Sequence, residues 1–107
     1  MTFNEFALAP TDGHKSFYGK AKVTEREDGA AVLKSYDTDV AMIDRDGNFH
    51  RFWTGYSATT MRHINAFLDR FGIDGGGASW WRNQPVERFD WVAFYIGAPV
   101  KTEPKVA

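Results

Sequence analysis

Ser57, Thr59, Thr60 and His63 form the set in this chain whose residue types come nearest to covalent chemistry. In a helix, Thr59 and Thr60 stand four and three residues before His63, so a hydroxyl meets the imidazole on one face. A nucleophile needs more than that contact: an oriented base and donors for an oxyanion. The three hydroxyls also fall in a first helical turn, where such groups cap free amides. Capping is the expectation, and no catalytic residue is assigned.

Metal binding is the second chemistry to weigh. Asp44-Arg45-Asp46-Gly47-Asn48 sets oxygens at alternate positions, as a calcium loop begins. Phe49 then stands where that loop demands glycine, and Gly55 where it demands a bidentate Glu. His14, His50 and His63 share no local ligand spacing. A hairpin turn is expected here, with no metal and no cofactor.

Two binding surfaces remain. Lys15, Lys20, Lys22, Arg51, Arg62, Arg70 and Arg82 alternate with Tyr18, Phe52, Trp53, Tyr56, Trp80 and Trp81. Arg51, Trp53 and Arg62 would head a single-strand nucleic-acid surface, where bases stack on aromatics beside cations. The net charge of −1 gives the molecule no general attraction for phosphate. The other surface is a protein-binding one. Trp80, Trp81 and Arg82 follow three glycines, and Trp and Arg dominate interface hot spots. They are either anchors on a mobile arm or a plug for the chain's own core. Residues 25–46 carry seven carboxylates against three cations. Asp37, Asp39, Asp44 and Asp46 would steer a partner protein of complementary charge, or else simply keep strand rims soluble.

The elements that must hold these groups are readable in outline. Met61, Ile64, Phe67, Leu68 and Phe71 recur at three- and four-residue steps, which makes one apolar helical face. Ser57 suits the start of that helix and Gly72 its left-handed stop, with Ile73 folding back. Extended segments are expected over 17–26, 31–36, 38–44, 49–53 and 89–96. Glu27-Asp28-Gly29 and Asp46-Gly47 mark turns, and Asp37 a bend. The strand at 38–44 reads as central or buried on both faces, with Val40 and Met42 on one side and Ala41 and Ile43 on the other. Gly75-Gly76-Gly77 reads as a flexible joint. A short extra helix near 79–84 follows, capped by Ser79 and halted by Pro85.

These elements predict an α+β fold: a small antiparallel sheet of three to five strands against one main helix at about 57–71. Residues 1–16 read as a flexible lead-in, 17–97 as a single domain and 98–107 as a frayed tail. Nine Phe, four Tyr and four Trp exceed what so small a core holds, leaving some for a surface patch. The absence of Cys suits a reducing compartment. No run reaches the roughly 20 apolar residues that cross a bilayer, and the N-terminus lacks signal-peptide character.

Several separated blocks also carry a likeness. Ser16-Phe17-Tyr18-Gly19-Lys20-Ala21, Leu33-Lys34-Ser35-Tyr36-Asp37-Thr38 with Val40-Ala41, Trp53, and Gly55 through Ile64 with Phe67-Leu68 occur in order. Together they resemble a family of small uncharacterised proteins encoded in bacteriophages and other mobile elements. The likeness covers about residues 16–86, Trp81 and Pro85-Val86 included, and residues 87–107 extend past it. It implies a genomic setting and no activity. From that setting comes the expectation of a non-enzymatic protein in the bacterial cytoplasm that blocks a host protein, such as a defence-system nuclease, as anti-CRISPR inhibitors do.

Overall fold

The computed structural model describes residues 3–8, 20–89, 91–98 and 102–104. Five strands make one sheet: β1 (Phe3–Ala7), β2 (Ala21–Arg26), β3 (Ala31–Ser35), β4 (Thr38–Ile43) and β5 (Phe49–Arg51). They lie in chain order, each antiparallel to its neighbour. Two helices follow, α1 (Ala58–Phe71) and α2 (Ala78–Asn83). Then β6 (Glu87–Phe89), α3 (Trp91–Ile96) and β7 (Thr102–Pro104) close the described chain, β6 pairing antiparallel with β7. The α+β class, with one main helix, is as the sequence predicts.

Local chemistry explains the turns. At Arg26–Ala30 and again at Asp44–Asn48, the first residue's carbonyl accepts from a glycine three positions on, and its amide donates to the residue after. Gly29 and Gly47 take φ of 98° and 86°, the left-handed geometry that closes a three-residue hairpin loop. Between β3 and β4 the loop is only Tyr36 and Asp37. Tyr36 sits there at φ 54°, an uncommon state for a bulky side chain. Asp37 therefore belongs to the turn, and the irregularity in pairing falls between Leu33 and Lys34.

The meander has two buried faces. On one, Ala21, Val23, Leu33, Ala41 and Ile43 pack beneath Ile64, Phe67 and Leu68 of α1 and against Trp81 of α2. On the other, Val32 and Met42 lie against Phe94 of α3, with Phe3, Phe52 and Phe89 around them. Residues Val40 through Ile43 are all buried, as a central strand requires. Val40 joins the α1 core, however, and is parted from Met42. Each large aliphatic or aromatic side chain so enclosed contributes about 1.5–3 kcal/mol.

Helix α1 starts and stops as its residues dictate. The Ser57 hydroxyl accepts from the Thr60 amide at 3.0 Å. Gly72 turns left-handed at φ 68°, and the Ile73 amide donates to the Leu68 carbonyl at 2.9 Å, which satisfies the terminal carbonyls.

Four expectations need correction. The lead-in includes an ordered strand at Phe3–Ala7, while the rest of 1–16 lies almost wholly outside the described residues. The expected strand at 89–96 divides: β6 ends at Phe89 and Trp91–Ile96 is helical. Within the expected frayed tail, Thr102–Pro104 is a paired strand. Finally, Gly75, Gly76 and Gly77 form a fitted loop, with φ of 141°, 110° and 89°. A Cβ on Gly75 would stand 2.4 Å from the Trp80 ring, and one on Gly76 would stand 2.7 Å from Asn65 Oδ1. Helix α2 begins from Gly77 without a side-chain cap, and Ser79 lies inside it.

Candidate functional site

His63 is fully buried, and its hydroxyl partner comes from the sheet. Ser35 Oγ lies 2.8 Å from His63 Nδ1 and 3.1 Å from Thr60 Oγ1. The sequence pairs His63 with Thr59 and Thr60; the fold supplies Ser35 from β3 and leaves Ser57 to cap the helix. Ser35 and Thr60 are buried as well, so the three polar groups pin α1 to β3 from within. The Tyr36 ring stands 5.8 Å from the imidazole.

Asp44 organises its turn. Its Oδ1 accepts from the amides of Asp46 and Asn48, both at 2.9 Å. His50 lies between two carboxylates, Nε2 at 2.8 Å from Asp44 Oδ2 and Nδ1 at 2.9 Å from Glu87 Oε2. Burial raises the Asp44 pKa, but the His50 and amide hydrogen bonds outweigh it and the net shift is downward. Among the described residues no three His, Asp or Glu side chains converge as metal ligands.

Arg51 faces inward. Its guanidinium donates to the carbonyls of Trp53, Thr54, Trp81 and Gln84 at 2.8–3.3 Å. Trp81 is buried, with its indole N–H donating to the Gly55 carbonyl at 2.8 Å. Trp53 and Trp80 are partly buried against the same core. Among the described residues of the basic and aromatic set, Lys20, Lys22, Tyr56, Arg62, Arg70 and Arg82 are exposed, whereas Arg51 and Trp81 are buried and Phe52, Trp53 and Trp80 lie between. Arg82 lies 4.9 Å over the Tyr56 ring. Trp81 is thus a core plug with Trp80 half-buried beside it, and of the glycines before them Gly75 and Gly76 are closely packed while Gly77 has open space around it.

The four aspartates do not share a face. In a meander, alternate turns fall at opposite ends, so Asp37 at the β3–β4 turn and Asp46 at the β4–β5 turn are separated by the whole length of β4, about 20 Å. Lysines gather instead. An open groove of about 600 Å³ runs over the sheet face that α3 only partly covers, lined by Lys20, Lys22, Lys34, Tyr36, Asp39 and Tyr95 among others. Lys22 and Lys34 are direct cross-strand partners, and Lys34 is opposite Asp39. Lys20 Nζ lies 5.4 Å over the Tyr36 ring. Burial pushes the Asp39 carboxyl up, against the pull of Lys34. Burial, with Asp39 and Glu5, also raises the Tyr95 phenol.

Helix α3 borders this groove. Its Ala93 and Phe94 are buried, while Val92, Tyr95 and Ile96 are 71%, 50% and 69% exposed. Arg26 secures the helix, donating to the carbonyls of Phe94, Gly97 and Ala98 and pairing with Asp28. Sequence reasoning missed Lys34, Tyr36, Val92, Tyr95 and Ile96 as surface groups. The alternation of Lys20 and Lys22 against Ala21 and Val23 was the signal for the lysines. Gly97, a helix stop like Gly72, was the signal for α3.

The chain belongs to a family of unknown function, DUF8033, whose model matches residues 6–83. The match takes in the groove's lysines and Tyr36 and ends before β6 and α3. No curated protein and no solved structure matches the chain.

Proposed function

We propose that this protein is a non-enzymatic binding domain of phage or mobile-element type, working in the cytoplasm of a bacterial host. In this reading it occupies and blocks a surface of a host protein, such as a defence-system nuclease. The mobile-element setting is supported by the sequence blocks at 16–41 and 53–68. The observation that carries the binding role is the outer side of α3. Val92, Tyr95 and Ile96 project from successive turns of one short helix whose inner side is already sealed to the sheet. Single exposed apolar groups are ordinary, but a contiguous set rimmed by charge suits association. Burial of His63, Ser35 and Thr60 also favours scaffolding over catalysis.

Affinity capture from host lysate, with and without nuclease, tests this reading. A protein retained after digestion, and lost when Val92→Glu and Ile96→Glu are combined, is the expected result. Retention that disappears on digestion would replace the reading with single-strand nucleic-acid binding, for which Arg62 is exposed and Arg51 is not.

A further inference from the structure

The charge on this molecule is arranged differently from its composition. The acidic stretch is split between two ends of the sheet, whereas three lysines converge in one groove. Like charges directly opposite each other on neighbouring strands are destabilising. Among the described residues, neither Lys22 nor Lys34 has a carboxylate within ion-pair distance. The groove above them falls within the 300–1,000 Å³ usual for ligand clefts. Its edge at Tyr36 holds backbone in the left-handed region, and strain of that kind clusters at ligand clamps and switch regions.

We propose that the groove at Lys20, Lys22 and Lys34 receives an acidic side chain from a short apolar segment of the partner protein, the apolar part resting on Val92, Tyr95 and Ile96. This inference rests on the binding-domain reading above and names the chemistry of its partner. Three carboxylates, Glu5, Asp37 and Asp39, line the same groove. A phosphate chain, charged at every nucleotide, would run onto them as it left the lysines. A peptide places one or two carboxylates over Lys22 and Lys34 and keeps neutral groups elsewhere. Complementarity of this patterned sort fixes register and excludes wrong partners.

Amide chemical shifts of the ¹⁵N-labelled full chain test the proposal with three probes. These are an acetylated, amidated Leu-Glu-Asp-Leu peptide, its Leu-Gln-Asn-Leu isostere and oligothymidine. The acidic peptide is expected to shift the amides of Lys22, Lys34, Tyr36 and Tyr95, and the isostere to leave them in place. Combining Lys22→Gln with Lys34→Gln should weaken acidic-peptide binding about tenfold, the sum of two exposed charge contacts, with other amides unchanged. Equal response to both peptides, no response to either, or a lysine-dependent response to oligothymidine would overturn it. Undiminished capture of the lysate partner by the lysine double variant would sink this inference and leave the binding role standing. Failure to capture any protein would remove the binding role itself.

Discussion

The Arg51 guanidinium lies 4.3 Å from the centre of the Trp81 ring and donates to the Trp81 carbonyl at 2.9 Å. One contact thus joins a residue suited to phosphate with a residue suited to a protein hot spot, and turns both inward. Arg51 closes the ends of β5 and α2 together by giving donors to the carbonyls of Trp53, Thr54, Trp81 and Gln84. Arg26 does the same for α3. Each arginine fastens a C-terminal helix to a different face of the meander.

Replacing Arg51 with Lys should therefore destabilise the fold by about 1–2 kcal/mol, because one ammonium cannot reach all four carbonyls and the flat guanidinium's contact with the Trp81 ring is lost. Arg62→Ala, on the exposed side of α1, should change stability by under about 0.5 kcal/mol. Denaturant unfolding of the two variants checks the contrast.

Ser35→Ala removes the hydroxyl between His63 and Thr60. Leaving buried polar atoms unmatched costs about 1–3 kcal/mol, so the variant should lie at or beyond Ser57→Ala, where a lost cap costs about 1 kcal/mol. Comparable midpoints in urea for Ser35→Ala and the parent chain would refute the pinning role.

Acid should act on the aspartates in opposite senses. Burial raises the pKa of Asp28 and of Asp44, but their hydrogen bonds, from Arg26 and from His50 respectively, prevail and lower it. Their stabilisation is complete above the usual carboxylate value of about 4 and fades as pH falls through the lower folded values. Asp39 is raised by burial, so its ionised form strains the fold at neutral pH and falling pH relieves it. Asp39→Asn should hold or raise the melting temperature at pH 7, and Asp44→Ala should lower it and flatten the acid limb. Melting curves at pH 7 and near pH 4 separate the two.

Gly75→Ala meets both an unfavourable φ and the Trp80 ring, whereas Gly77→Ala meets only the φ. Backbone strain of this kind costs about 1–3 kcal/mol, and the first variant should exceed the second. Equal losses would mean that Trp80 yields to the added methyl.

Local signals were legible and distant ones were not. Ser57, the apolar stripe and Gly72 define α1 within sixteen residues, and the glycine turns announce themselves. Trp91–Ile96 is rich in strand formers, so propensity alone favoured a strand; packing of Phe94 and capping by Arg26, some seventy residues away, favour the helix. The burial of Arg26 and Arg51 depends on carbonyls gathered by tertiary structure, which no spacing reveals. The lysine groove required knowing that β2 and β3 pair with Lys22 opposite Lys34.

Hydroxyl-radical footprinting of the nuclease-treated, captured complex bears most directly on where the molecule works. Protection of Tyr95, Val92, Ile96 and Tyr36, with Tyr56 as reactive as in the free protein, is the predicted pattern. Protection centred on Tyr56 with the α3 residues still reactive would contradict the assignment of this face.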